Sequence, residues 1–138
     1  MRLQNKIILL TGIWCGLIFL TPLITHFFPM AGLYLYVMFS PLCHQLSERS
    51  FMLLGLQLPV CARCTGIYLG GCVGGIFVRP QAPSPWILIA ALLPMGIDGV
   101  SQLFFRESMN WIRFLTGWIA GFAVIFYLYP GIRTWDER

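Results

Sequence analysis

The segment Pro59-Val60-Cys61-Ala62-Arg63-Cys64-Thr65-Gly66 places two thiols at a spacing that lets both grip one ion. Gly66, two residues after the second cysteine, would let the backbone turn and aim amides at sulfur. This is a metal-knuckle pattern, and its remaining ligands are expected at a distance. Cys43 and His44 lie upstream beside polar residues and supply them. Zinc takes four Cys or His ligands in a tetrahedron, so Cys43, His44, Cys61 and Cys64 form the expected set for one zinc ion per chain. Adjacent residues must both bend inward to serve together. A three-ligand site with an open position is therefore the variant, and it would suit catalysis. The same thiols fit a second chemistry. A Cys-x-x-Cys at the start of a membrane helix, with Cys43 as partner thiol and a quinone as acceptor, is a thiol-disulfide oxidoreductase arrangement. Arg63 between the two cysteines favours thiolate in either case. A reduced, inert pair beside a solvated His44 is the plain alternative. Cys15 and Cys72 sit in apolar stretches and read as small buried hydrophobes.

A second set of polar residues lies within apolar sequence. Asp98 is the only acid inside an apolar helix, and burying a carboxylate in hydrocarbon demands a partner or a cavity. Gln102 follows one helical turn later on the same face. Pro94 precedes Asp98 on that stripe, where it can kink the helix. Asp98 could pair with Arg63 or Arg113, orient a metal-ligating histidine, or act as general acid or base. Asn110, Arg113 and Thr116 recur at a spacing of three and could front the same cavity. Capping by Ser108 and Asn110, with a topological role for Arg113, is the structural alternative. Gln45 and Arg49 add to the polar loop, and Arg49 with Arg63 puts positive charge beside the cysteines. Asp98, Gln102, Arg49, Arg63, Arg113 and Asn110 are the candidate catalytic residues, around an anionic group such as a lipid phosphate.

These groups must be positioned by apolar elements. The chain has 138 residues, of which 58% are hydrophobic and 10% charged, with a mean hydropathy of +0.78. Soluble domains carry about 25% charged residues, and a protein this small has too much surface to cover with so few. Disorder and repeat solenoids are excluded, and an integral membrane protein remains. The net charge of +4 comes from scattered arginines, not a basic face, so no nucleic-acid partner is expected. No Asp, Glu, Lys or Arg occurs over residues 7–47. The short basic start resembles a signal peptide, but the apolar character continues without a cleavage pattern, so a retained first helix is expected.

The fold expected is an all-α polytopic helical bundle in a single membrane domain, 1–138. Helices are predicted over 7–24, 65–78, 86–105 and 111–130, giving four crossings. A short helix over 31–42 would be re-entrant or interfacial, or else a thin crossing. A metal-site loop occupies 43–64, in which residues 51–60 fold as a small hairpin or extended loop around Gly55. Small residues at 66, 70 and 74, and at 71 and 75, form a stripe that lets another helix approach closely. It could meet the same chain, where Gly117 and Gly121 offer a counterpart, or a second copy in a homodimer through helix 66–75. Membrane lipid is the expected partner. If helix 31–42 does not span, both termini are cytoplasmic and the cysteines lie outside. If it spans, they lie inside. Flanking charges number five against six, which does not decide the side. On length the four-crossing, extracytoplasmic arrangement is favoured.

The chain resembles the DUF2085 family of small prokaryotic integral membrane proteins of unknown function. The resemblance rests on Cys43-His44-Gln45, Arg49-Ser50-Phe51, the run from Pro59 to Tyr68, Asp98-Gly99 with Gln102, and Ser108-Asn110 with Arg113, Thr116 and Gly117. It spans roughly residues 31–121. It implies that the Cys/His segment and the polar stripe form one functional unit, and it implies no reaction. The residues themselves point to a zinc-dependent membrane enzyme acting on a lipid-like or small anionic substrate. A quinone-coupled thiol oxidoreductase, a metal or ion transporter or sensor, and a structural subunit are the alternatives.

Overall fold

A computed structural model describes residues 3–104 and 108–136, with backbone alone for Leu103 and for 134–136. Arg2, Phe105, Arg106 and Arg138, which enter the helix and charge expectations above, lie outside the described residues. The order is α1 (Leu3–Phe27), α2 (Pro29–Phe39), a 3-10 turn (Ser47–Arg49), the strands β1 (Met52–Leu53) and β2 (Leu56–Gln57), then α3 (Ala62–Phe77), α4 (Pro85–Phe104) and α5 (Asn110–Asp136).

Among the described residues, three helices are long and apolar enough to cross a membrane: Leu3–Phe27, Pro85–Gln102 of α4 and Asn110–Arg133 of α5. The segment expected as another crossing is α3, with 16 residues. At about 1.5 Å per residue it covers about 24 Å, less than the ~30 Å hydrocarbon core. Helix α5 runs on to Asp136, past the boundary expected at Pro130. A proline removes one N–H and its φ is already helical, and a Cβ on Gly131 would meet only open space.

Helix α2 doubles back along α1. Pro29 starts it, at a position where the missing N–H costs nothing. Gly32 then lies so close to Thr25 that a Cβ would stand 2.6 Å from the Thr25 Cα. At the other end the Phe39 ring packs edge-on to Trp14, 4.9 Å away. The chain after α2 is thereby delivered about halfway along α1.

Helices α3 and α5 run parallel. Cβ atoms on Gly66 and Gly70 would collide with backbone at Phe114 and Trp118, and one on Gly74 would come within 2.6 Å of Ile125 Cγ2. In return, Gly117 and Gly121 face the Arg63 and Ile67 carbonyls. The 66/70/74 stripe is thus filled by α5 of the same chain, which brings two backbones into direct contact. Helix α1 is antiparallel to α3, with Gln4 donating to the Gly75 carbonyl at 3.2 Å and Trp14 beside Tyr68. Helix α4 is antiparallel to α5, with Tyr127 Oη donating to the Ser84 carbonyl at 2.6 Å. The end of α1, the starts of α3 and α5 and the end of α4 therefore share one end of the bundle. α4 shows Trp86, Ile97 and Val100 outward, more than half exposed, as a lipid-facing helix would.

The buried apolar cluster lies beside the start of α3, where the loop meets the middle of α1. It joins Ile18 of α1, Phe39 of α2, and Cys43, Leu58 and Val60 of the loop. The hairpin pairs Met52 with Gln57 and Leu53 with Leu56 in antiparallel register. Its two turn residues, Leu54 and Gly55, both have positive φ, as a type I′ turn requires. The hairpin docks on the start of α5, where the Phe51 ring lies 5.2 Å from Trp111.

Candidate metal centre

The three thiols come from two places. Cys43 hangs just past α2, over the buried Phe39, and Cys61 and Cys64 sit at the N-cap and in the first turn of α3. The hairpin folds the intervening chain back on itself, and the three sulfurs lie within 4.8 Å of one another. All three are free thiols. The Cys61 amide donates to Cys43 Sγ at 3.1 Å. Gln45, in the left-handed region at φ 50, also turns its backbone N–H toward that sulfur. The amides come from these two residues and not from a turn at Gly66, which is inside α3 and packs on α5.

Gln45 is held firmly. Its Nε2 donates to the Tyr36 carbonyl at 2.7 Å, and its own carbonyl accepts from Gln57 Nε2 at 3.3 Å. Tyr36 Oη donates to the Gln57 carbonyl. Helix α2, the loop and β2 are thereby locked around the sulfur ligands. Sequence reasoning passed over Tyr36 and Gln57, because neither carries a spacing signal before the loop is closed.

Donation from the Cys61 and Cys64 thiols pulls the Cys43 thiol far below the ordinary thiol range, with the Gln45 and Cys61 amides acting in the same direction; burial opposes them. Negative charge within the trio is therefore best accommodated at Cys43. The positive end of α3 favours that charge as well.

His44 does not join the sulfur group. It is exposed, and it lines the same pocket. That pocket has a volume of about 360 Å³ and is walled by all three cysteines together with Arg49, Arg63, Gln102 and Arg113. The fold thus brings together three of the four expected ligands, with the adjacent histidine exposed and outside the group.

The polar stripe forms a connected network beside the thiols. Arg63 Nη2 meets Asp98 Oδ2 at 2.6 Å, and Gln102 Nε2 donates to the same oxygen at 2.7 Å. Gln102 also donates to Ser108 Oγ at 2.8 Å and accepts from Arg113 at 3.3 Å. Arg113 donates to Asn110 Oδ1 at 3.1 Å, and Asn110 reaches the Ser50 carbonyl at 3.4 Å. Asp98 and Arg113 are buried, at 8% and 3% exposure. Of the expected partners for Asp98, the structure selects Arg63. Thr116 turns away to its own helix carbonyls, and Pro94 is exposed. Ser50, buried behind the hairpin, also joins the network; the sequence singled it out only within the Arg49-Ser50-Phe51 resemblance. It has no chemical signal of its own and contributes through its backbone carbonyl.

The fold and site define a small helical membrane protein with a thiol cluster and an arginine-rich polar network at one end. The family described as predicted membrane protein (DUF2085) matches residues 43–127, and the chain belongs to it. The match starts at Cys43 and takes in every cysteine of the cluster and the whole network. An uncharacterized protein of Methanocaldococcus jannaschii is 46% identical over 114 residues, covering 77% of this chain and 73% of its own. An uncharacterized protein of Methanothermobacter thermautotrophicus is 39% identical over 92 residues, covering 62% of this chain and 83% of its own. No solved structure matches.

Proposed function

We propose that this is a zinc-binding multi-pass membrane protein in which Cys43, Cys61 and Cys64 hold one ion. Its pocket would present that ion to a lipid-like or small anionic substrate, as in a metal-dependent enzyme. The observation that carries the reading is the convergence of three thiols at a pocket wall. Tetrahedral zinc with Zn–S of about 2.3 Å sets its sulfurs about 3.8 Å apart, so a trio already within 4.8 Å needs only a small inward movement. Three protein ligands leave a fourth position open, and a bound zinc would supply Lewis acidity there. The chain's own residues do the rest. Arg63 and Arg113 supply positive charge at the wall, and Asp98 with Gln102 fixes their positions.

The same network supports one orientation in the membrane. Arg63 and Arg113 are held inside the protein, so they are not flanking topological charges. Of the remaining described Lys and Arg, Arg49 stays at the thiol end, and Lys6, Arg79 and Arg133 lie at the opposite end. The positive-inside rule favours a cytoplasmic side for that end, and with it the thiols on the outer side and α3 as a crossing, its glycine face supported by α5.

Elemental analysis of the detergent-purified protein, beside a free-thiol count, tests the proposal. One zinc per chain, with thiols unreactive until chelation, is expected. A second reading, a thiol-disulfide oxidoreductase, is favoured by one observation: three free thiols within 4.8 Å of one another, close enough to pair after rotation. Absence of metal together with a reversible Cys61–Cys64 disulfide would replace the first reading with the second.

A further inference from the structure

Among the described residues, the charges around Arg63 and Arg113 do not balance. Both line the pocket, and none of the described lining residues carries a carboxylate. Asp98 is the carboxylate behind the wall and is committed to Arg63. Arg113, 3% exposed, donates only to the neutral amide oxygens of Asn110 and Gln102, and its Nε has no partner among the described residues. Arg63 Nε is likewise buried without a partner. A buried cation with unmet donors is strongly disfavoured unless a counter-charge arrives.

The backbone adds to the excess. The starts of α3 and α5 lie side by side, and each carries partial positive charge from its unmet N–H groups. The first turn of a helix ordinarily favours acidic residues. Neither α3 nor α5 has one there; each has an arginine instead, at positions 63 and 113. The Gly117 contact with the Arg63 carbonyl sets the two arginines about one helical turn apart along the bundle, and both line the same pocket.

We infer that this pocket binds the phosphoryl group of a phosphate monoester or of phosphate itself, held between Arg63 and Arg113. A carboxylate offers a single charge and one edge. A tetrahedral phosphoryl dianion offers a charge and an oxygen for each guanidinium, and a third oxygen for the open metal position. Only that last contact rests on the zinc reading; the arginine pair stands without it. The pocket volume of about 360 Å³ leaves room for more than a bare phosphate. Its rim carries Leu42 and Leu46, each about half exposed, so a phosphomonoester headgroup could enter from the bilayer with its chains left in lipid.

The test uses the full chain in phosphatidylcholine nanodiscs, with zinc content measured on the same sample. One arm titrates inorganic phosphate; the other places phosphatidic acid in the disc. Binding in the first arm identifies free phosphate as sufficient, and binding in the second alone identifies the lipid headgroup. Absence of binding in both overturns the inference. Arg113→Gln is expected to weaken binding by about 30-fold, the lower end for truncating a buried charged partner, with zinc content unchanged; unchanged affinity overturns it. The wild-type protein gives a readout that needs no variant: phosphate or phosphatidic acid should protect Arg63, whose side chain is 28% exposed, from phenylglyoxal, read by peptide mass, and absence of protection overturns the inference. Phosphoryl binding by a protein that contains no zinc would remove the metal reading and leave this site standing, whereas zinc without phosphoryl binding would do the reverse.

Discussion

Replacing Asp98 by alanine should expose what holds the polar network together. The carboxylate accepts from Arg63 at 2.6 Å and from Gln102 at 2.7 Å. Asp98 is 8% exposed and Arg63 28%, so this ion pair is shielded more than a surface pair. Removing one partner of a buried pair costs about 3–5 kcal/mol, because the other charge is left uncompensated. Partial exposure of Arg63 puts the expectation near the lower end, about 3 kcal/mol. Asp98→Asn keeps the shape and one acceptor oxygen and should cost less. The assay is denaturant unfolding in mixed micelles, followed by tryptophan fluorescence, with Arg63→Ala and the double variant completing a cycle. If the pair matters as argued, the double variant falls short of the sum of the singles by about 1–3 kcal/mol. Strict additivity would refute the reasoning and reduce the contact to a coincidence of packing.

Gly70→Ala should separate α3 from α5, since its Cβ would collide with the Trp118 backbone, at a cost of about 1–3 kcal/mol; Gly12→Ala, which meets nothing, should be neutral in the same unfolding assay. Tyr36→Phe removes the tie from α2 to the Gln57 carbonyl and should weaken zinc affinity about tenfold, the lower end for outer supports of a metal site, measured by competition with a chromophoric chelator. In metal-stripped protein, stability should rise with pH up to the ordinary thiol value of 9.0, because the unfolded Cys43 binds a proton there that the folded thiolate does not; Cys43→Ser should flatten that slope. A membrane-impermeant maleimide should label Ser47→Cys on intact cells, in a background without the native exposed thiols; labelling only after lysis would reverse the proposed orientation.

Much of this protein is legible along the chain. The charge-free run and the low charged fraction require a lipid-facing helical protein, because no soluble surface could be made from them. The spacing of Cys61 and Cys64 and the lone intramembrane acid are local signals, readable because their chemistry is intrinsic to the residues. Gly55 marks the hairpin in the same way, since a tight turn there needs positive φ. Whether a helix of middling length spans is less legible. Helix α3 is 16 residues long, and its place depends on the α5 backbone that its glycines admit.

What only the tertiary structure decided are choices between partners far apart in sequence. Cys43 joins Cys61 and Cys64 while His44, its neighbour, points elsewhere, because the buried Phe39 beneath and the Gln45 turn beside it fix which of two adjacent side chains faces inward. Asp98 takes Arg63 and not Arg113, and the glycine stripe meets α5 of the same chain, because parallel packing at Gly117 sets Arg63 at the level of Asp98. Residue types determine which contacts are chemically possible, whereas the selection among them is made by backbone distances that exist only once the helices have packed.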